Sequence, residues 1–218
     1  MQKIYFKNRI LSVCTKEEVP PIADERFLMR PEADYNFSAI PFNMENNTLF
    51  NHLTIEVPEG MTEASLMAEL LAGVKRIYAA GGLIFNKEGS CLMIYRNGVW
   101  DLPKGKKEDD EDIAATALRE VKEECGVTAQ LGQLITITHH TYWLNQALVV
   151  KSTYWYKMFA DKTDATPQTE EGIEKCEWVT AEDLDYRLAN TYPSIVDVFN
   201  QLRKSTICAP GCSDTISW

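Results

Sequence analysis

Alternation of apolar and polar positions marks residues 2–6 (QKIYF) and 10–14 (ILSVC) as two strands joined by the polar turn Lys7-Asn8-Arg9. A proline- and acid-rich stretch runs on through Pro41, and TLFNHLTIEV at 48–57 reads as another strand, broken by Pro58-Glu59-Gly60. Over 61–73 the apolar side chains of Ala64, Met67, Ala68 and Leu71 recur at helical spacing, with Thr62 placed as the N-cap and Gly73 as the stop. From residue 76 the pattern is denser. Residues 76–86 and 91–96 read as strands flanking the turn Lys87-Glu88-Gly89-Ser90, VWDLPKGK at 99–106 as a tight loop, and about 112–125 as an amphipathic helix. The segments 134–143 and 147–160 form the arms of a hairpin turning at Asn145-Gln146, a loop covers 161–175, and a strand at 176–179 precedes helices near 181–188 and 193–204.

Strands and helices mix without strict βαβ alternation, which predicts an α+β fold in which a mixed β-sheet is sandwiched between helices. The expected division is a small N-terminal α/β module over 1–75, a main domain over 76–204 and a tail over 205–218. The module carries no chemical motif and reads as a packing, dimerisation or substrate-shaping unit, which leaves a homodimer open. Composition sharpens the picture by exclusion. With 22 basic and 32 acidic residues the net charge is −10, a surface that repels duplex nucleic acid and anionic lipid. No apolar run approaches a membrane span and the first residues lack a signal-peptide core, so the expected compartment is the cytoplasm. The six cysteines lack framework spacing and read as reduced thiols, Cys208 and Cys212 as part of an unpaired tail.

The segment 105–127, GKKEDDEDIAATALREVKEECGV, carries the chemistry. On a helical wheel Ile113, Ala114, Ala117, Leu118, Val121 and Cys125 gather toward a core. Glu120, Glu123 and Glu124 stand at i, i+3 and i+4 and share a second face, where like charges repel by a few tenths of a kcal/mol per pair. A divalent cation would offset that repulsion, and clustered carboxylate oxygens suit Mg²⁺ or Mn²⁺; a solvated charged face is the plain alternative.

The whole segment fits G-x5-E-x7-R-E-U-x-E-E-x-G-U, with U aliphatic, at Gly105, Glu111, Arg119, Glu120, Val121, Glu123, Glu124, Gly126 and Val127. Chance agreement at all nine positions is on the order of one in a billion per starting point. The chain thereby resembles the Nudix hydrolases over about residues 76–204, while 1–75 and the tail lie outside the likeness. The resemblance implies a Nudix-like sheet sandwich and an enzyme acting on phosphoric anhydride bonds, cleaving a nucleoside diphosphate derivative with a divalent metal. It implies Glu120, Glu123 and Glu124 as metal ligands with the Lys104 carbonyl beside them, and Arg119 as the group that orients the glutamates. Gly105 is expected to supply the backbone freedom of the loop, Glu111 to anchor the loop-to-helix junction and Gly126 to cap the helix. The general base is divided between Glu120 and Glu171, the latter also a candidate ligand from a distant loop, with Glu170 and Glu174 as its neighbours.

Substrate is read from the flanks. WDLPKGK resembles the W-x-L-P-K-G stretch of relatives acting on dinucleoside polyphosphates, oxidised nucleoside triphosphates or diphosphoinositol polyphosphates. Lys104, Lys106 and Arg96 are the candidate phosphate contacts, with Tyr142 and Lys151 from the hairpin. No proline lies between Val127 and Pro167, where the ADP-ribose branch expects one, so dinucleoside polyphosphate-like or nucleoside triphosphate-like small molecules are favoured. Of His139 and His140, neighbours on a strand, at most one can face a cleft. A catalytically weak Nudix-fold sensor or regulator is the alternative, opposed by an intact box and acidic segments.

Overall fold

The computed structural model describes residues 1–7, 9–19, 27–46 and 51–207. In chain order the elements are β1 (Gln2–Phe6), β2 (Arg9–Cys14), β3 (Leu28–Met29), α1 (Ile40–Asn46), β4 (His52–Glu56), α2 (Glu63–Leu70), β5 (Lys75–Phe85), β6 (Cys91–Arg96), β7 (Val99–Asp101) and β8 (Lys104–Lys106). Then follow α3 (Ile113–Cys125), β9 (Gln130–Leu144), β10 (Ala147–Phe159), β11 (Ile173–Val179), α4 (Ala181–Leu188) and α5 (Pro193–Ile207). Cys208 and Cys212 fall outside the described residues.

Two compact units emerge, one of Met1–Ile77 with Thr138–Ser152, the other of Tyr78–Ile137 with the chain from Thr153 on. The tip of the β9–β10 hairpin therefore groups with the N-terminal module. The reason is a long-range pairing that periodicity does not encode: β1 runs parallel to β9, with Ile4 opposite His139 and Phe6 opposite Thr141. The hairpin turns at Asn145 and Gln146, both at positive φ, as a two-residue turn between twisted strands requires.

In the first unit β2 pairs antiparallel with β1 and parallel with β4, which pairs parallel with β3. Ile4, Phe6, Leu11, Val13 and Ile55 point to one face and pack with Phe37, Ile40, Met44 and the buried side of α2. That side is Leu66, Met67, Leu70 and Leu71, whereas Ala64 and Ala68 are exposed. The helix thus turns one residue's angle from the expected face, because two leucines remove far more apolar area from water than two alanines. Thr62 caps it, accepting from the Ser65 N–H, and the helix ends before Gly73. Helix α1 lay hidden in the proline-rich stretch; Pro41 sits in its first turn, where a missing N–H costs nothing.

The second unit has strand order β11-β6-β5-β10-β9, with β7 on β6 and β8 on β5. Its strands are apolar on both faces. Leu83, Phe85, Cys91 and Met93 pack on α4 and α5 through Leu184, Ile195, Val198 and Phe199. The alternate residues Ala80, Ile84, Leu92 and Ile94 meet Ala117, Val121 and Cys125 of α3. Helices on both faces make the expected α+β sandwich. The stretch 99–106 is no plain loop: it forms β7 and β8 around Pro103, admitted because a side chain on Gly81 would overlap Pro103 and Lys104. Among the described residues no helix is long and apolar enough to cross a membrane.

Replacing Leu70 by Ala is expected to cost about 2–5 kcal/mol in urea unfolding. Ala68→Ser on the exposed side should stay within about 0.5 kcal/mol.

Candidate active site

Helix α3 opens on Asp112, whose carboxylate accepts the Ala114 N–H, and closes at Gly126, which takes the left-handed conformation (φ 69°) and donates to the Lys122 carbonyl at 2.9 Å. Between these caps Glu120 and Glu124 are buried and Glu123 is exposed. The two buried acids border the apolar stripe of Ala117, Val121 and Cys125, so this is not a solvated charged face.

Arg119 is the hub. Its Nε and Nη2 grip the two oxygens of Glu111 at 2.8 and 3.0 Å. Nη1 reaches Glu120 at 2.9 Å and Glu123 at 2.8 Å, and Nη2 also donates to the Lys106 carbonyl at 3.0 Å. Glu111 accepts from Thr116 Oγ1 as well, at 2.7 Å, which ties the loop to the first turn of α3. The Arg119 guanidinium holds the Glu111 carboxyl down to a pKa of about 2.

Gly105 lies against Glu120. A Cβ there would overlap the Glu120 carboxylate, and Gly105 is not among the positive-φ residues. The glycine is needed for room rather than for the backbone freedom expected of it. Burial pushes the Glu120 pKa up, Arg119 opposes the shift, and the charges of Glu123 and Glu171 add to it. Glu171 therefore stands within electrostatic reach of Glu120. It closes a turn at Thr169–Glu171 before Gly172, which has φ 74°.

Glu124 is fully buried and faces two cations. It accepts the Lys104 N–H at 2.7 Å and Arg96 Nη1 at 3.2 Å. Burial pushes its pKa up to about 7 against the pull of Lys104 and Arg96. Sequence reasoning missed Asp101, the buried acid between these cations: it accepts from Arg96 Nη2 at 3.4 Å, from Lys104 Nζ and from the Leu102 N–H. It was the unspecified position of W-x-L-P-K-G, and strand alternation puts it on the face opposite Trp100 and Leu102, so nothing local signalled its burial. Also missed were Thr166 and Gln168, whose N–H groups dock on the Cys125 and Glu124 carbonyls at 2.8 and 3.0 Å and bring the Glu171 turn to the end of α3.

The structure thus brings together Arg96, Lys104, Gly105, Lys106, Glu111, Arg119, Glu120, Glu123, Glu124, Gly126 and Glu171 in the second unit. Lys106 contributes its carbonyl, and its side chain is exposed. Tyr142 and Lys151 belong to the first unit. So do His139 and His140: His139 Nδ1 lies 2.9 Å from Ser152 Oγ, its pKa pushed down to about 4 by burial and Arg76, and His140 stacks on Tyr5. Among the described residues no three acid, histidine or cysteine side chains already surround a common point, because Arg119 holds Glu120 and Glu123 while Lys104 and Arg96 hold Glu124.

The Glu111–Arg119 pair makes a pH prediction. Glu111 ionises more readily folded than unfolded, where its pKa is near 4.5, so the pair stabilises above that pH and the contribution fades as pH falls toward 2. Glu111→Gln should lower Tm by about 3–6 °C at neutral pH. By calorimetry the gap to the parent chain should narrow below about pH 4.5 and close toward pH 2.

The model of the NUDIX domain matches residues 75–199, more than half of the chain. Nudix hydrolase 10 of Arabidopsis thaliana is 29% identical over 101 residues, covering 45% of this chain and 34% of the relative. Nucleoside diphosphate-linked moiety X motif 6 of Homo sapiens is 27% identical over 180 residues, covering 79% and 52%. An RNA pyrophosphohydrolase of Novosphingobium aromaticivorans is 33% identical over 92 residues, covering 39% and 57%. The chain spans about half, or less, of the length of the first two relatives. With the domain model running from the first strand of the second unit into α5, and the Arg119-centred carboxylates inside it, the chain belongs to the Nudix family.

Proposed function

We propose that the chain is a Mg²⁺-dependent pyrophosphohydrolase, with Mn²⁺ as a substitute, that cleaves a diphosphate linkage in a nucleoside diphosphate derivative or similar phosphorylated metabolite by attack of water at phosphorus. The observation that carries this reading is a charge imbalance in the ion-paired groups of the site. Asp101, Glu111, Glu120, Glu123 and Glu124 are paired with only Arg96, Lys104 and Arg119. Two negative charges are left over, and Glu171 adds a third nearby. Hard carboxylate oxygens short of positive charge are the donor set a divalent cation takes.

Glu120, Glu123 and Glu124 would hold the metal, with the Lys104 carbonyl and Glu171 as further oxygens. When bound, the cation neutralises the diphosphate and activates the attacking water. Arg119 keeps Glu120 aimed at the Gly105 backbone, and Glu120 or Glu171 takes the proton from water. Arg96 and Lys104, held by Asp101, present cationic donors to phosphate oxygens. The W-x-L-P-K-G stretch and the absence of a proline between Val127 and Pro167 favour a dinucleoside polyphosphate-like or nucleoside triphosphate-like substrate over ADP-ribose, and the RNA pyrophosphohydrolase among the relatives is named for the same bond class.

The test is a panel of dinucleoside polyphosphates, nucleotide sugars, ADP-ribose, damaged nucleoside triphosphates and inositol pyrophosphates, with Mg²⁺ in ¹⁸O-water, read by mass spectrometry. At least one member should be hydrolysed, and the label identifies the attacked phosphorus. Glu120→Gln with Glu124→Gln should abolish that turnover; full retention would sink the mechanism. Binding of a panel member without hydrolysis would favour the sensor reading.

Gly105→Ala pushes the Glu120 carboxylate aside and should lower kcat/KM about 100-fold, the scale of a misplaced catalytic group. Its Tm should fall by no more than a few degrees, since only the end of a side chain must move.

A further inference from the structure

Strand β7 is three residues long and pairs, among the described strands, with β6 alone. It ends on Asp101, the buried acid that holds Arg96 and Lys104. The turn that joins it to β6 is Asn97-Gly98, both residues at positive φ. So short a hairpin arm is marginal by itself. Residues 187–191, where α4 ends, supply the missing support. The Asn190 carbonyl accepts the Trp100 N–H at 2.9 Å, and Thr191 Oγ1 donates to the Trp100 carbonyl at 2.6 Å. Asn190 Nδ2 donates to the Gly98 carbonyl at 3.0 Å. The Arg187 guanidinium lies 4.6 Å from the centre of the Trp100 ring, and its Nη2 holds Glu177 at 2.9 Å.

We propose that Thr191 is a positioning residue for phosphate binding: through the Trp100 carbonyl it fixes Asp101, and through Asp101 the Arg96 and Lys104 cations. This rests on the pyrophosphohydrolase reading, in which those cations meet phosphate oxygens. The Trp100 carbonyl belongs to the peptide unit that leads into Asp101, and that unit is planar. Pinning its oxygen sets the plane from which the Asp101 backbone and carboxylate project. The buried carboxylate accepts from Arg96 Nη2 at 3.4 Å, from the Leu102 N–H at 2.8 Å and from Lys104 Nζ. A shift of β7 therefore moves one anion relative to both cations at once.

The hydroxyl is what this place needs. Trp100 and Thr191 form an isolated parallel bridge rather than a strand pair. The backbone meets the Trp100 N–H there, and the Thr191 side chain meets the Trp100 carbonyl. The metal half of the site is held by other means. Arg119 spends its donors on Glu111, Glu120, Glu123 and the Lys106 carbonyl, none of them on β7. Glu124 keeps the Lys104 N–H at 2.7 Å. Loss of the hydroxyl is thus felt in phosphate binding and not in metal binding.

The experiment compares the full chain with its Thr191→Val and Thr191→Ser variants. Calorimetry with Mg²⁺ gives Kd for inorganic tripolyphosphate, and steady-state kinetics give KM and kcat for the panel member that the parent chain hydrolyses best. In Thr191→Val both Kd and KM should rise about fivefold, the scale of one lost hydrogen bond. Its kcat should change by less than about twofold, and Mn²⁺ affinity, read by electron paramagnetic resonance, should stay at the parent value. Thr191→Ser keeps the hydroxyl and should match the parent chain throughout. If Thr191→Val does not fold, Asn190→Ala, which gives up the bond to the Gly98 carbonyl, should raise the same two constants. A Thr191→Val variant with parental Kd and KM overturns the proposal, as does a Ser variant no better than Val or a parent chain that binds no tripolyphosphate. A parent chain that hydrolyses nothing on the panel overturns the pyrophosphohydrolase reading instead, and Kd for tripolyphosphate still decides the role of Thr191.

Discussion

All five N–H donors of the Arg119 guanidinium are spent: two on Glu111, one on Glu120, one on Glu123 and one on the Lys106 carbonyl. That single planar group joins the loop before α3, the helix itself and strand β8. A lysine would bring one ammonium with three donors and no fork for Glu111, so charge alone could not replace it. Glu120 stands one residue from Arg119 and Glu123 four residues on. Three of the four glutamates of the box thus stand where their side chains reach one guanidinium, and the fourth, Glu124, turns to other partners.

The second half of the site follows a different principle. Glu124 and Asp101 are buried among Arg96, Lys104 and backbone N–H groups, two anions against two cations. Burial pushes the Glu124 carboxyl up, and Lys104 and Arg96 pull it back, so the cations offset the cost of burying the acid. Around Arg119, in contrast, three carboxylates share one cation. The shortage of positive charge is therefore local to Glu111, Glu120 and Glu123, the helix side that borders Gly105. Glu120 of the one half and Glu124 of the other stand one turn apart on the same buried side of α3, where the proposed divalent ion would draw on both.

How far this was legible in the chain varied with the range of the interaction involved. The caps of α3, the turn at Asn145-Gln146 and the spacing of Arg119 with its glutamates are local, and each can be read from residue type and helical or strand period. The buried face of α2 could not be, because Ala64, Met67, Ala68 and Leu71 and the observed Leu66, Met67, Leu70 and Leu71 are both helical spacings, and the choice falls to the sheet beneath. Asp101, Gly81 and Gln168 escaped for the same reason: what they touch lies at the end of another element. The role of Gly105 was legible in identity but not in cause, since the neighbour that forbids a side chain there is fifteen residues away in the chain.

The end of α3 shows how these ranges combine. Beyond Glu124 the helix stops at Gly126, and the freed Glu124 and Cys125 carbonyls are the ones that Gln168 and Thr166 take. The Glu171 N–H in turn donates to the Gln168 carbonyl at 3.2 Å. Two backbone hydrogen bonds thus connect the backbone of Glu124 to that of Glu171, although the residues are far apart in sequence. A helix that ran one turn further would consume those carbonyls itself, and the acidic turn would have nothing to dock on. Gly126 therefore does more than end a helix: by ending it there, it decides where the Glu171 turn docks.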